Sequence, residues 1–156
     1  MKIKTMFVVA ILASAICGQW SLLPSAQGKF SVASAGLQLT VEVTEIKGRD
    51  GQLIVSVYDR EAGFPNQLEK ARATLKTLPT KPKVVFKNLT SGNYAVVVVH
   101  DRNKNNQIDQ NFIGMPKEPV GLSNYNTIGL SNRPSFKKAL ISLKKSGGVK
   151  VKLISL

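Results

Sequence analysis

The sequence predicts an all-β protein: a single antiparallel β-sandwich of about seven strands carrying one long ordered loop. Three observations lead there. Short segments alternate apolar and polar residues with a period of two, turn residues separate them at close intervals, and no stretch repeats with a sustained helical period.

In chain order, "GLQLTVEVTEI" places Leu37, Leu39, Val41 and Val43 on one face and Gln38, Thr40 and Glu42 on the other, which makes a half-buried strand. "KGRDG" reads as a turn, and "QLIVSVYD" resumes the alternation with Leu53, Val55 and Val57, so these two strands are expected to pair as a hairpin. "REAGFPNQLEKA" breaks the pattern and leaves room for one helical turn from Asn66 to Ala71. "ATLKTL" and "KVVFKNL" are further short strands across "PTKP". "SGNYAVVVVHD" is the strongest strand; it is apolar on both faces and belongs in the middle of a sheet. Tyr94 in that strand is expected in the core or in a corner hydrogen bond. "SFKKALISL" and "GVKVKLISL" are expected to close the fold as a pair about "KKSGG". The sandwich is thus of the immunoglobulin-like or transthyretin-like kind. Leu39, Val41, Val55, Val57, Phe86, Val97, Val99, Ile141 and Val151 are its expected core.

The segment from Arg102 to Pro134 has no regular period. Connections of that length are functional or disordered. Phe112, Ile113, Met115, Val120, Leu122, Tyr125 and Ile128 are scattered through it and are expected to pack, so an ordered, folded-back loop is the reading.

The chain opens "MKIKTMFVVAILASAICGQW". Lys2 and Lys4 precede an apolar run from Met6 to Cys17, the pattern of a secretory signal peptide rather than a bilayer span, which needs about 20 residues. Residues 1–35 are therefore assigned to a signal peptide and short tether, and residues 36–156 to the β-sandwich domain. Small residues ending at Gly28 and at Ala35 both suit cleavage, and so does a cut soon after Cys17; Ile16 makes Cys17 a poor lipidation site. The expected location is periplasmic or extracellular, with no transmembrane span in the mature protein. Cleavage removes the single cysteine, leaving neither disulfide nor thiolate ligand.

The net charge is +13, and loss of Lys2 and Lys4 leaves +11. Beyond Glu118 the chain has no acid but carries Arg133, Lys137, Lys138, Lys144, Lys145, Lys150 and Lys152. Such an end favours anionic components of a cell envelope, and its lysines also shield sheet edges. Nucleic acid is not expected, given few aromatics and no recognition motif.

"DRNKNNQID" carries the rhythm of a calcium loop. With Asp101 as the first position, Asn103, Asn105, Gln107 and Asp109 fall at the third, fifth, seventh and ninth, and Ile108 is the apolar anchor. Asn106 stands where a turn glycine is usual, a place asparagine tolerates. Phe112 replaces the closing bidentate glutamate, although Glu118 could close the shell. Arg102 and Lys104 oppose a cation. Calcium held here would bind weakly, with a dissociation constant of ~10⁻⁴–10⁻³ M. The competing reading is an Asx-rich turn that satisfies its own backbone. Both readings stand on the residues alone.

Catalysis has little to build on. His100 is the only histidine, and as a strand neighbour of Asp101 it points to the opposite face, so the two are not a base and its orienting acid. Zinc needs more histidine, cysteine or carboxylate ligands than are close by. The residues favour a non-catalytic binding or structural module of the cell envelope. The alternative is a small-ligand enzyme or accessory factor using the Arg102–Pro134 loop near His100, with Glu118 as its acid–base partner.

The strings "GQLIVSVYD", "FPNQ", "LTSGNYAVVVVHDRNKNNQIDQNFIGMPKEPVGLSN" and "RPSFKKALISL" together resemble the bacterial domain-of-unknown-function family numbered 2141. The resemblance covers Leu37 to Leu156 and is most specific from Tyr94 to Asn124. It implies a small, exported, β-rich protein and brings no activity with it.

Export has a direct check. Mass spectrometry of the native protein is expected to show a new N-terminus between Gly18 and Gly36; intact Met1 in a soluble cytoplasmic fraction would contradict it.

Overall fold

The structure is a computed structural model that describes residues 36–112, 114 and 116–155. The predicted leader, and the expected packing of Ile113 and Met115, lie outside the described residues. Eight strands are present among them: β1 (Leu37–Thr44), β2 (Gln52–Tyr58), β3 (Ala73–Thr77), β4 (Lys83–Leu89), β5 (Gly92–Asp101), β6 (Val120–Leu122), β7 (Leu140–Leu143) and β8 (Gly147–Lys152). A 3₁₀ turn at Leu68–Lys70 lies inside the predicted helical turn, and α1 is a single turn at Phe136–Ala139.

The strands form two sheets. The smaller has the order β4-β1-β8, and the larger β3-β2-β5-β6, with β7 pairing the other half of the β5 edge that β6 occupies. All pairs are antiparallel except β1 with β8. The predicted all-β sandwich is therefore observed, with one parallel pairing inside it.

Two expected pairings are not formed. β1 and β2 are not a hairpin: β1 pairs with β4 and β8, whereas β2 pairs with β3 and β5. Leu39, Val41 and Val43 on β1 and Leu53, Val55 and Val57 on β2 instead share one core cluster between the sheets. Two strands with matching apolar faces bury more surface opposed across a sandwich than side by side. The connection crosses between sheets by left-handed backbone at Glu45 (φ 59), Gly48 (φ 98) and Gly51 (φ 75). The closing pair is likewise split, β7 joining the large sheet and β8 the small one. The first half of "SFKKALISL" is helical rather than extended, and Phe136 and Leu140, four residues apart, pack into one cluster.

The core is double. Between the sheets lie Leu39, Val41, Val55, Val57, Phe86, Tyr94, Val96, Val98 and Val151, among others. On the far side of the large sheet, Ile54, Tyr58, Val97 and Val99 share a second cluster with Val120 and Leu122 of the neighbouring β6 and with Tyr125 and Ile128 of the long segment. That segment is folded back as expected and supplies β6, the strand its sequence did not announce. Gly121 lets β6 lie close to the end of β8, since a Cβ there would sit 2.5 Å from the Lys152 carbonyl oxygen. Val120 and Ile154 then exchange backbone hydrogen bonds at 3.1 and 2.8 Å. Ser123, fully buried, accepts a bond from the Val96 N–H at 2.9 Å and donates to the Ala139 carbonyl at 2.5 Å, bridging the gap between β6 and β7.

Eight of the nine expected core residues are buried. Ile141 is only half-buried, because β7 is a four-residue edge strand, and Leu143 fills the core in its place. Phe112 departs further, being 99% exposed. Tyr94 makes the corner bond, its hydroxyl donating to the Thr90 carbonyl at 2.9 Å.

Tyr58 ties the 59–71 connection to the sheet. Its hydroxyl donates to the Gln67 carbonyl at 3.0 Å, and its ring meets Phe64 edge-on at 5.4 Å. Burial, with a smaller contribution from the Glu69 charge, pushes the phenol up to about 12. A phenol that holds its proton more tightly when folded stabilises the protein fully below pH 10.0, and that contribution is lost as pH rises through 12. Tyr58→Phe is expected to cost about 1 kcal/mol in denaturant unfolding at neutral pH. It is also expected to flatten the stability loss between those two pH values.

Candidate functional site

The candidate residues gather where β5 ends. By the alternation of the strand, His100 continues the inward face of Tyr94, Val96 and Val98, and Asp101 continues the face of Val97 and Val99. Both side chains are fully buried. His100 Nε2 lies 2.9 Å from the Asp50 carbonyl oxygen, so that nitrogen carries a proton and donates; Nδ1 has no partner among the described residues. The His100 N–H donates to the Pro119 carbonyl at 2.9 Å, which draws the returning loop alongside β5. His100 thus does what a histidine at a sheet end does when it holds a loop.

Asp101 is the anchor of the turn. Its Oδ2 accepts from Gln52 Nε2 at 2.8 Å and from the Asn106 N–H at 2.9 Å, and its Oδ1 accepts from the Asn105 N–H at 3.2 Å. Asp109 is held by two amides, Asn103 Nδ2 at 2.7 Å and Asn105 Nδ2 at 2.8 Å. Asn105 therefore touches both carboxylates and draws them towards one another. Asn103 Oδ1 takes the Asn105 N–H at 3.0 Å and Asn105 Oδ1 takes the Gln107 N–H at 2.9 Å, two successive Asx turns. Gln107 enters this set through its backbone N–H. Asn106 has φ 65, the left-handed conformation anticipated where a glycine is usual, and Lys104 has φ 60.

Glu118 reaches the same place from the far end of the loop. It is 7% exposed, and its Oε1 accepts from the Arg102 N–H at 2.8 Å. Its Oε2 is buried without a partner among the described residues. Burial raises this carboxyl above the ordinary glutamate range; the backbone N–H groups of Arg102 and, more weakly, Asn103 oppose the rise, and the charges of Asp101 and Asp109 add to it. The Arg102 guanidinium turns away to the Lys47 carbonyl at 3.2 Å. Among the described residues, no three acidic, histidine or cysteine side chains are gathered tightly enough to hold a metal by themselves. Any cation here would also need amide and backbone oxygens.

Two participants escaped the sequence reading. Gln52 of β2 donates to both Asp101 and Asn106, and Lys76 of β3 donates to Asn106 Oδ1 at 2.6 Å. Neither lies near the loop in sequence; only the β3-β2-β5 order brings them there. Gly51 completes the fit, since a Cβ at that position would overlap the Asp101 carbonyl oxygen.

A separate cavity of about 280 Å³ lies between the covered face of the large sheet and the long segment. Val97, Ile108, Val120, Leu122 and Ile128 contribute to its walls, and Arg133 is the one charged residue among the described residues that line it. His100, Asp101 and Glu118 do not line it. No helix among the described residues is long and apolar enough to cross a membrane.

A comparison with curated proteins returns no match, and a comparison with solved structures returns none either. One family model does match, described as an uncharacterised protein conserved in bacteria, over residues 41–151. That range runs from the middle of β1 to the end of β8 and includes both halves of the loop site. The chain therefore belongs to this bacterial family, domain-of-unknown-function family 2141.

Proposed function

We propose that this protein is an exported, non-catalytic binding or structural module of the cell envelope, in which Asp101, Asn103, Asn105, Gln107 and Asp109, joined by Glu118, form a weak calcium site. The observation that carries the calcium reading is the buried, unpartnered Oε2 of Glu118 in the field of Asp101 and Asp109. The charges of Asp101 and Asp109 act on the Glu118 carboxyl, and a divalent cation held by carboxylate, amide and backbone oxygens together would relieve that repulsion. The donors are carboxylate, amide and carbonyl oxygens, a hard set that suits calcium rather than a softer metal. Rotation of the Asn103 and Asn105 amides turns groups that now donate to Asp109 into oxygen ligands. The ion would pin the start of the long segment to β5.

Several features support the non-catalytic part. His100 is sealed from solvent and occupied with Asp50. Among the described residues that line the cavity there is neither a carboxylate nor an imidazole. The outer face of the small sheet carries Lys83, Lys87, Lys150 and Lys152 about a single acid, Glu42, and such a face attracts anionic envelope components.

The calcium reading is tested on purified protein stripped with chelator. Millimolar calcium is expected to raise the melting temperature by about 4–8 °C, since occupancy near tenfold above the dissociation constant stabilises by ~1.4 kcal/mol. Asp101→Ala and Glu118→Gln are each expected to abolish the increment. Asp101→Ala should also lower the calcium-free stability by about 1–3 kcal/mol, because the donors of Gln52 and Asn106 lose their acceptor. Unchanged melting together with no heat of binding would overturn calcium and leave the loop as a hydrogen-bonded turn that launches the Arg102–Pro134 segment.

A further inference from the structure

The cavity beneath the long segment is built differently from the loop site. Its floor is the β5 face at Val97 and the neighbouring β6 residues Val120 and Leu122, and its roof includes Ile108 and Ile128. Pro65, Pro116 and Pro134 stiffen its rim, and Leu130 stands on the lip with 70% of its surface exposed. Two glycines border it, and a Cβ at Gly114 or Gly129 would meet nothing within 4 Å, so the chain leaves open space there. A volume of about 280 Å³ lies at the small end of small-molecule sites.

Against these apolar walls stands one cation. Arg133 is exposed, and among the described residues its guanidinium makes neither an ion pair nor a hydrogen bond; the neighbouring Tyr125 hydroxyl donates to the Arg133 backbone carbonyl at 3.2 Å and leaves the guanidinium untouched. Arg102 and Lys138, by comparison, donate to the Lys47 carbonyl and to the Asn132 side-chain oxygen. A guanidinium offers a planar fork of donors that matches a carboxylate or a phosphate. An apolar chamber with a free fork at its edge has the polarity of a site that buries a greasy body and clamps an anionic head.

We propose that this cavity binds a small amphipathic monoanion, its apolar body lying between β5 and the long segment and its carboxylate or phosphate head against Arg133. The volume restricts the body to the size of a medium acyl chain or a ring system, well short of a full lipid. The cavity takes no residue from the Asp101–Asp109 carboxylate set, so the proposal goes beyond the calcium reading and does not depend on it. No chemistry is assigned to the bound molecule, because the described lining residues supply no carboxylate, imidazole or nucleophile.

Calorimetric titration of the purified protein with decanoate, below its micelle concentration, tests this. It is run once with calcium and once with chelator, and saturable binding in either condition counts, so failure of the calcium reading leaves the test standing. One site is expected, with decanoate binding at least tenfold more tightly than decanol, which has the body without the charge, and with no binding of acetate, which has the charge without the body. Decyl phosphate in place of decanoate separates a phosphate head from a carboxylate head. Arg133→Gln, at an exposed position, is expected to weaken decanoate at least tenfold while leaving decanol unchanged, and Gly129→Phe is expected to abolish both by filling the chamber. Equal affinity of the wild type and Arg133→Gln for decanoate would overturn the proposal, as would non-saturable heats for decanoate in both conditions or acetate binding as well as decanoate.

Discussion

β5 carries Val96 and Val98 on one face and Val97 and Val99 on the other, and none of the four keeps more than 1% of its surface in contact with water. Burying each valine is worth roughly 1.5–3 kcal/mol, so leaving either face bare would forfeit a large share of the stability of a domain this size. A sandwich of two sheets covers only one face of such a strand. The other face needs a second cover, and the chain supplies it from the connection that leaves β5 itself. The length of that connection, its apolar residues and its internal strand β6 all follow from this need.

A cover made of irregular chain brings a difficulty that a second sheet would not. Its backbone groups have no ladder to join, and buried polar groups without partners are costly. The protein answers with side chains. Ser123 completes the backbone of β5 between β6 and β7, Asn124 reaches the Leu140 carbonyl at 2.7 Å, and the Tyr125 hydroxyl serves both Arg133 and Ser135. At the other end, Asp101 closes the first turn of the loop by taking two of its N–H groups, and Glu118 takes the Arg102 N–H. Polar residues in this segment are therefore part of how it stays down on the sheet, and among its described residues the buried Glu118 Oε2 is left without a partner.

Two regions of opposite character result. At the end of β5 acids and amides converge, with buried carboxylates and a dense set of donors. Under the middle of the segment, apolar walls meet a single guanidinium. Both exist because the same stretch of chain has to leave the sheet, turn and lie back across it.

Much of this was legible from residues alone. Period-two alternation located β1 and β2 and assigned their faces, since it reports which side chains must share a face, whereas β6 lay in a segment without a period. The unbroken valines declared that β5 is covered twice, and the left-handed conformation of Asn106 was readable from its place in the loop. Only the tertiary structure decided which strands are neighbours. Alternation records a face and says nothing of the partner along the edge, so β1 and β2, adjacent in sequence with matching apolar sides, went to opposite sheets and β8 came to lie parallel to β1. The same blindness hid Gln52 and Lys76, which reach the loop only through strand order, and it hid the exposure of Phe112, whose apolar character alone argued for burial. Local pattern is set by bonds a few residues long, whereas pairing is chosen by the total surface that distant segments bury together, and that sum exists only once the chain is folded.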